Sequence, residues 1–275
     1  MRTSSSRGGV EIGTAEVNGA RLYYELLGDG PPLVLLHGFT LDHRMWKHQV
    51  DELARSHRVL TYDARGFGRS SLPTNEPYQH CADAAALCEY LGLKGVVAIG
   101  HSIGAHQMLE LALSRPDLVA GWVPICMSGL TTVPFSEDLT SMFAAIRQAA
   151  REHGIDAAKK IWRGADWFAP ARKVPALAAE LDGMLDDYSG WHWTHDNPAK
   201  SLEPPAAEAL PNLRTPVLVV TGGGDIPYNH AVREALMSRL QSPGVLHLPH
   251  ASHMANMEDP AAVNQAIAAF ARRVG

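Results

Sequence analysis

Apolar positions along this chain fall into two alternating patterns. Short runs such as Leu33-Val34-Leu35-Leu36, Val96-Val97-Ala98-Ile99 and Val217-Leu218-Val219-Val220 show no polar alternation, as in strands buried on both faces. Residues 58–62 and 119–127 read the same way, and 244–248 closes the set. Stretches of helical pattern lie between them, at 42–56, 79–91, 105–115, 229–240 and 260–274. At the start, 15–17 and 20–27 flank Asn18-Gly19, a pair suited to the positive φ angles of a type I′ hairpin turn. Together these elements predict an α/β fold: a mostly parallel sheet of eight strands with helices on both faces.

The rhythm breaks once. Across 129–210 no strand pattern stands out; helical patterns at 137–153, 156–168 and 174–188 lead into a Trp- and Pro-rich stretch. The expected organisation is therefore an α/β core over 14–128, an inserted helical cap over 129–210, and the rest of the core over 211–275.

Reactive groups in a parallel α/β sheet gather at the carboxyl ends of its strands. There, Ile99 is followed at once by Gly100-His101-Ser102-Ile103-Gly104 and then by a helix. A serine in so sharp a strand-to-helix turn exposes its hydroxyl, and the flanking glycines relieve crowding between strand and helix. Gly-x-Ser-x-Gly alone is common by chance, and its context makes Ser102 the candidate nucleophile. Such a hydroxyl needs a base, and the base needs an orienting acid. His253 and His250 share the loop after the last strand, and position alone does not separate them. Asp225, after Val220 and Thr221-Gly222-Gly223-Gly224, is the candidate acid, although a turn or capping aspartate would look the same. The backbone amides of Phe39, after His37-Gly38, and of Ile103 are candidate donors to an oxyanion.

These motifs resemble the α/β-hydrolase superfamily over nearly the whole chain. The supporting segments are His37-Gly38-Phe39, Asp63-Ala64-Arg65-Gly66-Phe67-Gly68-Arg69-Ser70, Gly100 to Gly104, Gly222 to Asp225, and His253 with Glu258-Asp259-Pro260 behind it. The resemblance implies the α/β-hydrolase fold and a Ser102–His253–Asp225 triad, and it favours His253 over His250 because Glu and Pro follow at the family's spacing. Ser252 stands where many members have Gly. Leu41-Asp42-His43-Arg44-Met45-Trp46 is similar to the corresponding region of 3-oxoadipate enol-lactonases and related carboxylesterases. Haloalkane dehalogenases and epoxide hydrolases normally carry Asp at the position of Ser102, which argues against both.

The expected activity is hydrolysis of a carboxylic ester or lactone through an acyl-enzyme on Ser102. Carbon-carbon bond hydrolases and cofactor-free perhydrolases use the same triad, and a slow-turnover binding protein could retain it. Trp162, Trp167, Phe168, Trp191 and Trp193 are concentrated in the cap and could line an apolar substrate pocket or simply pack the cap. Arg147, Lys159, Lys160 and Arg163 could serve one substrate carboxylate.

Composition changes this picture little. Of 275 residues 46% are apolar, and the net charge is −5, with no basic cluster for nucleic acid and no run suited to a membrane span. No metal or cofactor motif appears. Cys81, Cys88 and Cys126 have neither metal nor disulfide spacing and read as free thiols. Residues 1–13 lack the apolar core of a signal peptide, so a disordered or tag-like start and a cytoplasmic location are expected. Oligomeric state is left open.

Overall fold

The structure, a computed structural model, describes residues 3–7 by their backbone and residues 9–275 in full. Nine strands form one sheet: β1 (Thr3–Arg7), β2 (Val10–Val17), β3 (Ala20–Leu27), β4 (Pro32–Leu36), β5 (Arg58–Tyr62), β6 (Val96–His101), β7 (Val119–Ile125), β8 (Leu218–Gly222) and β9 (Gly244–Leu248). Their spatial order is β1-β2-β3-β5-β4-β6-β7-β8-β9, antiparallel through the β3–β5 pair and parallel from β5 to β9. All eight expected strands are present. The hairpin register Val17↔Ala20 places Asn18 and Gly19 at φ 49° and 72°, the two positive angles that the turn requires.

The ninth strand corrects the reading of the chain start. Thr3–Arg7 pairs antiparallel with Val10–Thr14, so 3–7 and 10–13 belong to the sheet, while residues 1, 2 and 8 lie outside the described residues. The sequence of this strand, Thr-Ser-Ser-Ser-Arg, has no apolar alternation, so periodicity did not reveal it.

Around the sheet run α1 (Lys47–Leu53), α2 (His80–Tyr90), α3 (Ile103–Ser114), α9 (Pro227–Met237), α10 (Ala255–Glu258) and α11 (Pro260–Val274). Between β7 and β8 the described helices are α4 (Glu137–His153), α5 (Ile155–Arg163), α6 (Pro175–Asp187), α7 (Trp191–Thr194) and α8 (Ala206–Ala209). Helix ends follow local chemistry. Ser136 accepts from the Leu139 amide to start α4, with Glu137 and Asp138 in its first turn, and Gly154 at φ 87° ends it. Asp259 accepts from the Ala262 amide and Pro260 opens α11. The expected helix over 42–56 is shorter, because Asp42 caps a 3₁₀ turn over His43–Trp46 before α1 begins.

Core residues of β4, β6 and β7 are buried on both faces, as continuous apolar runs require. Asp63, fully buried at the end of β5, ties the next loop to that core. One carboxylate oxygen accepts from the His43 amide and ring Nδ1, both at 2.8 Å, and the other from the Arg69 amide at 2.8 Å. Burial alone would lower His43, but hydrogen bonds to Asp63 and Glu25 outweigh it and lift its pKa to about 9, so His43 is protonated at neutral pH. Asp63→Ala leaves the buried His43 amide and ring Nδ1 without this acceptor. The expected loss is about 3–5 kcal/mol of unfolding free energy, read from urea unfolding midpoints.

Candidate active site

Ser102 stands alone between β6 and α3 at φ 56° and ψ −123°, a conformation that L side chains rarely adopt. Its amide donates to the Ile125 carbonyl of β7 at 3.0 Å. A Cβ at Gly104 would fall on the carbonyl oxygens of Leu36 and His37, and one at Gly100 on the backbone of Gly104 and Ala105. The two glycines thus let α3 start against the end of β4. Ile103 is the first residue of α3, so its N–H has no carbonyl one turn earlier within the helix. Phe39 follows β4, and its ring packs edge-on against Phe67, Trp162, Tyr188 and His192 at centroid distances of 5.6–6.0 Å. The Trp162 Nε1–H donates to Thr40 Oγ1 at 2.6 Å, joining α5 to the Phe39 loop.

His253 and Asp225 arrive on the loops after β9 and β8. A Cβ at Gly222 would strike the Ser252 carbonyl, so glycine lets these loops close on each other. Glu258 accepts from Ser252 Oγ at 2.7 Å and from the Ser252 amide, which fixes the chain just before the histidine and gives Ser252 a use that glycine would lack. His253 Nδ1 lies 3.0 Å from Asp225 Oδ2, and both side chains are buried. Burial alone would raise the Asp225 carboxyl; the His253 charge, with hydrogen bonds from His253, Asn229 and the Ile226 amide, outweighs it and holds the group below the ordinary carboxylate range. An ionised Asp225 therefore accepts a hydrogen bond from Nδ1–H and leaves Nε2 as the basic nitrogen. His101 Nε2–H donates to the His253 carbonyl at 2.8 Å and anchors that loop from behind. His250 is exposed and pairs with Asp259 at 2.8 Å, outside the cavity.

Ser102 and His253 both line a cavity of about 280 Å³. Its remaining wall is Phe39, Leu41, His101, Ile103, Ser128, Gly129, Phe135, Phe143, Trp162, Trp167 and Phe168, with no Asp, Glu, Lys or Arg. The stretch between β7 and β8 thus supplies a large part of the wall.

Residues 33–266 match the model of the Alpha/beta hydrolase family. The chain belongs to that family. An epoxide hydrolase of Caballeronia sordidicola is 29% identical over 76% of this chain and 64% of its own length, so the chain spans less than two thirds of that relative. Among solved structures, a thermophilic esterase of Thermogutta terrifontis superposes with a TM-score of 0.76 at 26% identity, covering 100% of this chain and 99% of the esterase. The enol-lactonase of Burkholderia xenovorans superposes with a TM-score of 0.76 at 23% identity over 94% of this chain and 98% of its own, a likeness of fold.

Within this alpha/beta hydrolase, Ser102, His253, Asp225, Phe39 and Ile103 come together at one end of the sheet. Trp162, Trp167 and Phe168 line the cavity; Trp191 and Trp193 do not. Trp191 stacks on His195 at 5.1 Å, and Trp193 packs edge-on against Tyr188 at 5.0 Å and against Phe39 and Trp162 at 6.4 Å, so both serve packing. None of the four cations considered for a substrate carboxylate reaches the cavity. Arg163 pairs with Asp182 and Asp186, Arg147 with Asp196, Lys159 donates to the Asp186 carbonyl, and Lys160 is exposed. Sequence reasoning missed Phe135 and Phe143, which have no motif, and Ser128 and Asn229, which adjoin the candidate triad.

Among the described residues, two clusters have metal-ligand chemistry: Cys126 with Asp225 and His253, and Asp42 with His43 and Asp63. In both, the donors are committed to one another. Burial pushes the Cys126 thiol well above its ordinary value, and its Sγ donates to the Ser252 carbonyl at 3.4 Å. In the second, Arg44 holds Asp42 and His43 holds Asp63. The three cysteines are buried and free. Among the described residues, no helix is long and apolar enough to cross a membrane.

Several buried histidines around this site are neutral. Burial lowers His101 from the ordinary 6.5 to about 3 and His192 to about 4, and also lowers His37. Because these folded values lie below 6.5, the unfolded chain takes up the protons first as pH falls. Their contribution is complete above pH 6.5 and is lost below it, at up to about 1.4 kcal/mol per pH unit for each histidine. The unfolding free energy in urea is therefore expected to drop steeply between pH 6.5 and pH 4. His192→Phe, which keeps the ring stacked 4.4 Å from Phe67, is expected to flatten that slope.

Proposed function

We propose that this protein is a serine hydrolase that cleaves neutral carboxylic esters or lactones with an apolar acyl part. The observation that carries the reading is that Ser102, strained at φ 56°, and His253, held by Asp225, share one aromatic cavity without a charged wall residue. Ser102 Oγ attacks the substrate carbonyl as His253 Nε2 takes its proton, and Asp225 orients the ring and stabilises the imidazolium. The developing oxyanion is received by the Phe39 and Ile103 amides, each such donor being worth about 2.7–4 kcal/mol in the transition state. His253 returns the proton to the leaving alkoxide and then activates the water that hydrolyses the acyl-enzyme.

The chemistry of the nucleophile separates this reading from the epoxide hydrolase relative. A serine that opened an epoxide would form an ether, which has no carbonyl for water to attack, and turnover would stop. An ester on Ser102 keeps that carbonyl. The helical segment from α4 to α8 acts as a cap that sets acyl preference through Phe143, Trp162, Trp167 and Phe168. Carboxylated lactones fit it poorly, since a buried carboxylate without a partner is costly.

Ser102→Ala is expected to lower kcat/KM for an aryl ester by at least about 10³-fold while the protein stays folded. Near-normal turnover in that variant would overturn the reading. On the wild-type protein, p-nitrophenyl butyrate is expected to exceed the p-nitrophenyl monoester of succinate by at least about 10²-fold in kcat/KM. Equal rates would contradict the neutral-substrate assignment.

A further inference from the structure

Beside the triad lies a polar chain that the mechanism above does not use. Ser102 Oγ donates to Ser128 Oγ at 3.3 Å, and Ser128 Oγ donates to Asn229 Oδ1 at 2.7 Å. Asn229 Nδ2 donates to Asp225 Oδ1 at 2.8 Å, and Asp225 Oδ2 faces His253 Nδ1 at 3.0 Å. The chain therefore links nucleophile to acid by a route that bypasses the base. Ser128 follows β7, and Asn229 is the third residue of α9, buried with 4% of its surface exposed. A first-turn asparagine ordinarily bonds its own helix backbone or solvent. This one instead directs its carboxamide to Asp225 and Ser128; its Nδ2 also lies 2.8 Å from His253 Nδ1, where two donors meet and no hydrogen bond forms.

We propose that Asn229, acting with Ser128, is a positioning residue: its carboxamide fixes which oxygen Asp225 turns to His253 and which way the Ser102 hydroxyl points at rest. The proposal rests on the serine-hydrolase reading. The Asp225 carboxylate sets its polarity. A flipped amide would set Asn229 Oδ1 against the Asp225 carboxylate, oxygen to oxygen, so Nδ2 must face the acid and Oδ1 must face Ser128. Ser128 then spends its only proton on Asn229 and can only accept from Ser102. With Oδ1 of Asp225 occupied by Asn229 and the Ile226 amide, Oδ2 is left for the imidazole. The Ser102–Ser128 contact is long for a hydroxyl pair, so it is readily exchanged for His253 when substrate arrives.

Asn229→Ala reverses this polarity. Ser128 loses its acceptor and turns its proton to Ser102 Oγ, drawing on the lone pair that must attack. Asp225 loses one donor, so more of its charge faces the imidazolium.

The test measures fluorophosphonate labelling at Ser102 and the pH profile of kcat/KM for a neutral aryl ester. In Asn229→Ala both rates are expected to fall about 10- to 100-fold. KM is unchanged, and the acid limb of the profile moves to higher pH. Ser128→Ala alone slows labelling about 2- to 10-fold, and the double variant is no slower than Asn229→Ala because the proton that competed for Ser102 is gone. Unchanged rates and pH profile in Asn229→Ala overturn the proposal, as do losses that multiply in the double variant. So does a lowered unfolding midpoint with the acid limb in place, which is what a purely structural asparagine would give. If Asn229→Ala does not fold, Ser128→Ala decides the matter, and labelling at the wild-type rate overturns the proposal. Ser102→Ala, run alongside, keeps the two claims apart: labelling that survives there overturns the serine-hydrolase reading itself.

Discussion

A serine backbone held at φ 56° between a central strand and a helix is the constraint on which this structure depends. Such a conformation costs on the order of 1–3 kcal/mol and persists only where surrounding packing leaves no alternative. Here β6 lies between β4 and β7 with every residue buried, the Ser102 amide is bonded to Ile125, and glycines at 100 and 104 admit the start of α3. Relaxing the turn would pull that helix off the sheet. The geometry that places Ser102 at the cavity is thus enforced by the buried central strands of the fold.

Charge and apolar surface are kept on opposite sides of this serine. Above it the cavity wall is aromatic and uncharged. Below it, Asp225 is buried at a cost that His253, Asn229 and the Ile226 amide offset. On the proposed reading the separation has a purpose: the apolar side excludes water and strengthens the electrostatics of the developing oxyanion, while the polar side holds one tautomer of one histidine. The neutral histidines nearby follow the same logic, since a second imidazolium at His101 would face His253 directly.

How much of this was legible in the chain depended on whether a residue's role was local. The strand ends were legible because buried parallel strands are unbroken apolar runs, and Ser102, Asp225 and His253 sit within five residues of them. Choosing His253 over His250 needed the spacing to Glu258, whose carboxylate receives the Ser252 hydroxyl and amide. Roles made by distant contacts were hidden. Ser128 and Asn229 meet across 101 residues, and neither carries a pattern that marks the other. Arg163 looked free to bind a substrate because its partners, Asp182 and Asp186, lie on the next long helix. Trp162 and Trp193 are the same residue type in the same segment, and only the fold sets the first on the cavity wall and the second outside it. Strand β1 was hidden because its side chains follow no apolar alternation.

The central claim is that chemistry passes through a covalent ester on Ser102. The most direct measurement is mass spectrometry of the protein quenched during turnover of a slow aryl ester, followed by peptide mapping. The account predicts an added acyl mass on the peptide containing Ser102, absent when His253 is replaced by alanine. An adduct on another residue, or steady turnover with no adduct under conditions where hydrolysis of the acyl group limits the rate, would contradict it.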